Sequence, residues 1–269
     1  MWFAENGSGK IGRVSTTGTF TEFTIPTTPN GPLYITGGPD GNLWFTEWYG
    51  NKIGRITTSG TFTEFPLPTA SSGPSGITAS PDGNLWFTEY YGQRIGRITT
   101  SGTLSEFPLP ALSYPIGIAA GPDGNLWFTE FVANKIGRIT TTGTLTEFTV
   151  PTTYSGPSLI TAGPDGNLWF TEEFVNKIGR VSTSGIFTEF TIPTPGSYPL
   201  GITAGTDGNL WFTEEQQNKI GRVTTTGTFT EFPIPTVSSG PFAIAAGPGR
   251  SVWFTELQGN KIGAVHPKG

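Results

Sequence analysis

Apolar residues in this chain come in short bursts of four or five, each bounded by a polar turn, and the bursts recur. One copy of the pattern starts at residue 76. It runs Gly76-Ile77-Thr78-Ala79, Pro81-Asp82-Gly83-Asn84, Leu85-Trp86-Phe87-Thr88-Glu89, Ile95-Gly96-Arg97-Ile98 and then Gly102-Thr103-Leu104-Ser105-Glu106-Phe107-Pro108. The marker tryptophan falls at positions 2, 44, 86, 127, 169, 211 and 253, so the spacing is 41 or 42 residues throughout. β-Branched and aromatic residues fill the bursts, and Pro-Asp-Gly-Asn or Thr-Thr-Ser/Thr-Gly separates them, which predicts short strands joined by tight turns. No stretch has helical periodicity with caps.

Four short strands per unit at a period near 40 predict an all-β propeller of four-stranded antiparallel blades. We label the strands a to d within each unit. Strand a is the Gly-Ile-Thr-Ala type, b the Leu-Trp-Phe-Thr-Glu type, c the Lys-Ile-Gly-Arg-Ile type and d the Thr-Phe-Thr-Glu-Phe-Pro type. Strands b and c occur seven times and strands a and d six times. Seven blades are therefore expected, the first without its innermost strand and the last without its outermost, as if one or two strands were missing upstream. Six closed blades with a displaced b–c hairpin is the alternative. The units span about 1–31, 32–73, 74–114, 115–156, 157–198, 199–240 and 241–269 of one propeller domain. The Trp and Phe of strand b and the Ile of strand c are expected to pack between blades. Pro at the end of strand d discourages pairing at the outer edge.

The 39 glycines and 23 prolines recur at fixed positions, so they mark turns rather than disorder. Charged residues are 13% of the 269, about half the usual share, with a net charge of −5. That balance speaks against nucleic acid and anionic membrane as partners, because both need a dense basic face. No apolar run is long enough for a membrane span. With no cysteine, disulfides, thiolate metal sites and a cysteine nucleophile are excluded. Met1-Trp2-Phe3-Ala4-Glu5 does not read as a signal peptide. The compartment stays open, although low charge and abundant Thr and Ser fit a secreted surface, and a monomer is expected.

Candidate chemistry is sparse. The Glu ending strand b recurs at 5, 47, 89, 130, 172, 214 and 256, with a basic residue a few positions on. A metal-binding ring is one reading, and a repeated ion pair at each b–c hairpin is the expected one. Asp40, Asp82, Asp123, Asp165 and Asp207 stand in the a–b turns. One carboxylate per turn is too few for calcium, and the last copy, Pro248-Gly249-Arg250-Ser251, has none. The strand-c glycine suggests close blade-to-blade approach or a bulge. The one histidine, His266, lies near the C-terminus.

A four-strand meander gathers the b–c and d–a loops on one face of the disc and the near-invariant a–b and c–d turns on the other. The loop face varies from copy to copy and is rich in aromatics. Its b–c loops carry Trp48, Tyr49, Tyr90 and Tyr91, and its d–a loops carry Tyr114, Tyr154, Tyr198 and Phe242. These eight are the candidate ligand-binding residues, suited to stacking with a small molecule or glycan. Simple covering of the blade ends is the other reading, and both stay open.

The units Gly-Pro-Asp-Gly-Asn-Leu-Trp-Phe-Thr-Glu, Asn-Lys-Ile-Gly-Arg-Ile-Thr and Thr-Glu-Phe-Pro-Leu-Pro-Thr closely resemble those of the virginiamycin B lyase (streptogramin B lyase) family, over nearly the whole chain. The resemblance implies a seven-bladed propeller and a magnesium-dependent carbon–oxygen lyase activity, the linear opening of a cyclic depsipeptide antibiotic by elimination. It also implies histidines just after the Pro that opens strand a of the last blades, with a Glu before one such Pro. Here those segments read Tyr198-Pro199-Leu200-Gly201 and Gly240-Pro241-Phe242-Ala243. Leu200 and Phe242 stand where the histidines would be, and the other copies offer Leu33, Ser75, Ile116 and Ser158. None of these side chains is a base near neutral pH. The expectation is a lyase-like propeller without catalytic residues or cofactor, acting as a binding or surface-interaction module. An active lyase using magnesium, and an amplified scaffold or fragment with no ligand of its own, are the alternatives.

Overall fold

The structure is a computed structural model that describes residues 1–266; the last three residues of the seventh unit lie outside them. It is a propeller of seven separate antiparallel sheets, which excludes the six-bladed alternative. Blade 1 has three strands, b Trp2–Glu5, c Lys10–Val14 and d Phe20–Thr24. Blades 2 to 6 have four each. In blade 3 they are a Pro74–Ala79, b Leu85–Glu89, c Arg94–Ile98 and d Leu104–Pro108. Blade 7 stops after a Pro241–Ala246, b Val252–Glu256 and c Lys261–Val265. A single-turn 3-10 helix, Pro248–Arg250, is the one helical element among the described residues.

The turns form for local reasons. In the a–b turn of blade 2 the Asp40 carboxylate accepts the backbone N–H of Asn42 at 3.2 Å and the indole N–H of Trp44 at 3.0 Å. Gly41 takes the left-handed φ of 77° that the turn requires. In blade 7, which lacks the Asp, the hydroxyl of Ser251 accepts the Trp253 indole N–H instead, at 2.8 Å. Strand a bulges in each complete blade, as between Pro115 and Ile118. A threonine of strand b fills the gap. Thr129 accepts the N–H of Gly117 at 2.9 Å and donates to the carbonyl of Ser158 in the next blade at 2.6 Å. The repeated Thr thus fixes the bulge and ties neighbouring inner strands together.

The core lies between blades, as the sequence predicts. Trp44 of blade 2 packs with Leu85, Phe87 and Ile98 of blade 3, and all four are fully buried. Each such Trp or Phe contributes roughly 2–3 kcal/mol by leaving water. The strand-c glycine has a different cause from the one expected. Gly96 stands opposite Phe87 of its own sheet, and the phenyl ring lies where a Cβ would be. Arg97 then covers the outer part of the blade. Its guanidinium sits 5.7 Å from the Trp86 ring and 5.8 Å from the Phe107 ring, and it reaches the carbonyl of Thr141 in the next blade at 3.3 Å.

Candidate functional site: the loop face

Strand b runs toward the loop face and ends there in Glu; strand c starts there and runs back, as in the pairing of Glu89 with Arg94. The b–c and d–a loops are welded by one repeated hydrogen bond. The first residue of each b–c loop donates its N–H to the carbonyl of the residue before the strand-a proline. The pairs are Trp48 to Gly31, Tyr90 to Gly73, Phe131 to Tyr114, Glu173 to Gly156, Glu215 to Tyr198 and Leu257 to Gly240, at 2.9–3.3 Å. This bond defines which loop residues are equivalent.

The sequence-predicted residues divide on that frame. Trp48, Tyr90, Tyr91 and Tyr114 form one cluster. Trp48 lies 5.5 Å from Tyr90 and 5.3 Å from Tyr91, and Tyr90 lies 5.1 Å from Tyr114, all between centroids. Tyr198 belongs to a second cluster, 6.0 Å from Phe174, which itself lies 5.2 Å from Phe131. Tyr49 is apart from both. It packs on Gly31 and borders an open groove of about 430 Å³ with Asn6, Ser8, Thr28 and Asn30. Tyr154 is 87% exposed and touches no other ring. Phe242 stacks on Tyr34 instead, 6.4 Å away. The four d–a aromatics thus occupy three different positions. Tyr114 and Tyr198 precede the strand-a proline, Tyr154 is two residues further back, and Phe242 follows the proline.

Three of the four d–a aromatics have a left-handed backbone, Tyr154 at φ 55° and the two that precede the proline. Gly31, Gly73, Gly156 and Gly240 have φ of 59–64°, as a left-handed residue before proline. In the other two copies the same position holds Tyr114, φ 45°, and Tyr198, φ 54°. A side chain with a Cβ is disfavoured there by about 1–2 kcal/mol. Both phenol rings lie in the aromatic clusters of the loop face, Tyr114 on Tyr90 and Tyr198 on Phe174.

Two residues escape the sequence reading. Glu173 and Glu215 occupy the positions of Trp48, Tyr90 and Phe131, but each follows a strand-ending Glu and reads as part of that strand. The repeated N–H bond is the signal that separates them. Glu173 is half-buried beside Tyr198 and Ser158. Burial raises its carboxyl pKa above the ordinary value, and Glu173 in turn raises the Tyr198 phenol to about 12.

The strand-b glutamates are not ion pairs at the hairpin. Lys177, opposite Glu172 in register, reaches past it to Glu189 of strand d at 3.1 Å. Glu172 is fully buried and neither of its oxygens accepts a hydrogen bond. Burial, then repulsion from Glu189, raises it to about 8. Glu47 is raised to about 8, and Glu89, Glu130 and Glu214 to about 7, with burial the largest cause in each. Among the described residues no three His, Asp or Glu side chains gather as metal ligands. The Glu172–Glu189 pair already faces Lys177. These residues do not fit magnesium, which takes six oxygens. His266 is exposed and follows a strand whose Val265 lies opposite Val252, at the turn end of the disc, away from the loop face.

Comparison with known proteins places this geometry in a lineage. A family model described as "Virginiamycin B lyase family" matches residues 1–114 and 69–269, which together span the chain. Among solved structures, a selenomethionine-substituted virginiamycin B lyase from Staphylococcus aureus is 47% identical, with a TM-score of 0.94 over 98% of this chain and 89% of that one. A streptogramin B lyase structure is 44% identical, with a TM-score of 0.94 over 98% and 88%. A catalytically inactive histidine-to-alanine variant of the Staphylococcus aureus virginiamycin B lyase, with quinupristin, is 46% identical, with a TM-score of 0.94 over 98% and 89%. No curated protein sequence matches. From the whole-chain family match and identities of 44–47%, this chain belongs to the virginiamycin B lyase family.

Proposed function

We propose that this chain is a non-catalytic binding propeller of its family, whose loop face holds an apolar cyclic ligand of the streptogramin B kind. The observation that carries the reading is the backbone at Tyr114 and Tyr198, left-handed tyrosines where four other copies have glycine. Strain of that sort persists where it serves a ligand contact. Exposed apolar side chains collect on the same face, among them Tyr49, Tyr91, Val132, Phe174 and Leu257, each more than half exposed.

The elimination that the family name denotes needs a base to take a proton as the ring C–O bond breaks. Leu200 and Phe242, at the positions where the family resemblance implies histidines, cannot supply one. A relative made inactive by replacing a histidine is nonetheless found with quinupristin. Loss of the base and retention of the ligand are compatible in this fold. A second reading, an active lyase, is favoured by Glu173, a carboxylate of raised pKa on the loop face.

The test is quinupristin with the purified protein, with and without magnesium. Binding is followed by calorimetry and ring opening by chromatography with fragment analysis, because elimination leaves the mass unchanged. Saturable binding without ring opening is the expected result. Ring opening would overturn the non-catalytic reading and direct attention to Glu173. Absence of binding would overturn the ligand class.

A further inference from the structure

Glu173 is one of two carboxylates, with Glu215, among the six equivalent loop positions. By the repeat, its side chain leaves the backbone where those of Trp48, Tyr90 and Phe131 do, so a carboxylate stands in a series of rings. Tyr90 lies 5.1 Å from Tyr114, the residue before the strand-a proline of the next blade. By the same repeat Glu173 stands beside Tyr198, which also packs on Phe174 of the Glu173 loop at 6.0 Å, and Glu173 raises the Tyr198 phenol.

No cation of the protein answers it. The neighbouring bases are committed outward, Lys177 to Glu189 at 3.1 Å and Lys219 to Glu231 at 3.6 Å. The strand-c arginines, such as Arg180, lie over Trp and Phe rings toward the turn end of the blade. Among the described residues no ion pair involves Glu173 or its neighbour Glu215. Tyr198 and Ser158 stand beside the carboxylate as neutral groups. A half-buried carboxylate walled by phenol and phenyl rings attracts an organic cation by two routes, direct charge pairing and ring quadrupoles.

We infer that the loop face of this chain selects a ligand with a positively charged amine, seated on Glu173 against the rings of Tyr198 and Phe174. The inference rests on the proposed binding role of the face and adds the charge of the group that anchors there. Glu215, the equivalent carboxylate of the following blade, adds negative potential but has Gly240 rather than a tyrosine before the next strand-a proline.

The probes are phenethylammonium and N-acetylphenethylamine, which share a ring and differ in charge. Affinities are measured by ligand-observed NMR near neutral pH. The cation should bind at least about tenfold tighter, equal to about 1.4 kcal/mol, and the ratio should collapse toward one in Glu173→Gln. The same ratio in the unaltered protein should shrink as the pH is lowered and Glu173 takes up a proton, so the test does not depend on the variant folding. Equal affinities, or a ratio unchanged by both treatments, would overturn the inference and leave the apolar binding face standing if Tyr91→Ala weakens both probes. Binding of neither probe would overturn both.

Discussion

The ring of Phe242 in blade 7 stacks on the ring of Tyr34 in blade 2, with centroids 6.4 Å apart and planes at 27°. The two inner strands that carry them flank blade 1, which starts at strand b. A side chain at a position that the family resemblance assigns to chemistry has become a packing contact across the hub. Phe242→Ala should cost about 1–2 kcal/mol and loosen blade 1 first. Hydrogen exchange of Trp2–Glu5 and Lys10–Val14 would rise ahead of the other blades. Uniform exchange across all blades would show that the stack does not hold the seam.

Tyr114 and Tyr198 should separate stability from binding. Tyr198→Gly removes a ring packed on Phe174 but relieves a left-handed residue before proline. The two effects offset, and relief is worth about 1 kcal/mol. The melting temperature should hold or rise while quinupristin affinity falls. A large drop in melting temperature would mark Tyr198 as a structural residue.

The buried glutamates should make the fold weaken toward alkaline pH. Glu47, Glu89, Glu130, Glu172 and Glu214 have folded pKa values of about 7 or 8, against an ordinary 4.5. The folded chain therefore binds more protons than the unfolded one between these values, and stability declines as pH rises through the window. The turn aspartates act oppositely. Burial pushes Asp165 up, but hydrogen bonds from Trp169 and Asn167 outweigh it and hold the carboxyl below 3.8, so that contribution disappears only in stronger acid. Denaturant titrations should place maximum stability in mildly acidic solution. Glu172→Gln, which cannot ionise, should match the unaltered protein near about pH 4.5 and exceed it near about pH 9. A variant weaker at both would contradict a protonated Glu172.

Gly96→Ala should destabilise by about 1–3 kcal/mol, because the added methyl overlaps the fully buried Phe87 ring. The double variant Gly96→Ala/Phe87→Leu should recover part of the loss. No recovery would place the cause in the backbone.

The chain itself determined the repeat, the strands and the turns and favoured seven blades, while the seven separate sheets excluded six. Each depends on chemistry within a few residues: alternation of apolar and polar positions, Pro-Asp-Gly-Asn turns, and a tryptophan every 41 or 42 positions. Even the aromatic character of the loop face was legible, because loop composition survives without coordinates. What only the tertiary structure decided is which groups meet across blades. Glu172 and Glu189 are 17 positions apart and sit on strands two apart in one sheet, with the lysine between them turned to the outer one. Glu173 reads as an extension of its strand until the N–H bond to Gly156 sets it beside Tyr90 and Trp48 in the loop series. The strain at Tyr198 comes from a glycine position inherited from the repeat, and its ring is aimed by a backbone that no local pattern encodes. Local sequence sets the conformation of each strand and turn; burial and charge pairing depend on closure of the ring, which brings residues of different blades into one low-dielectric space.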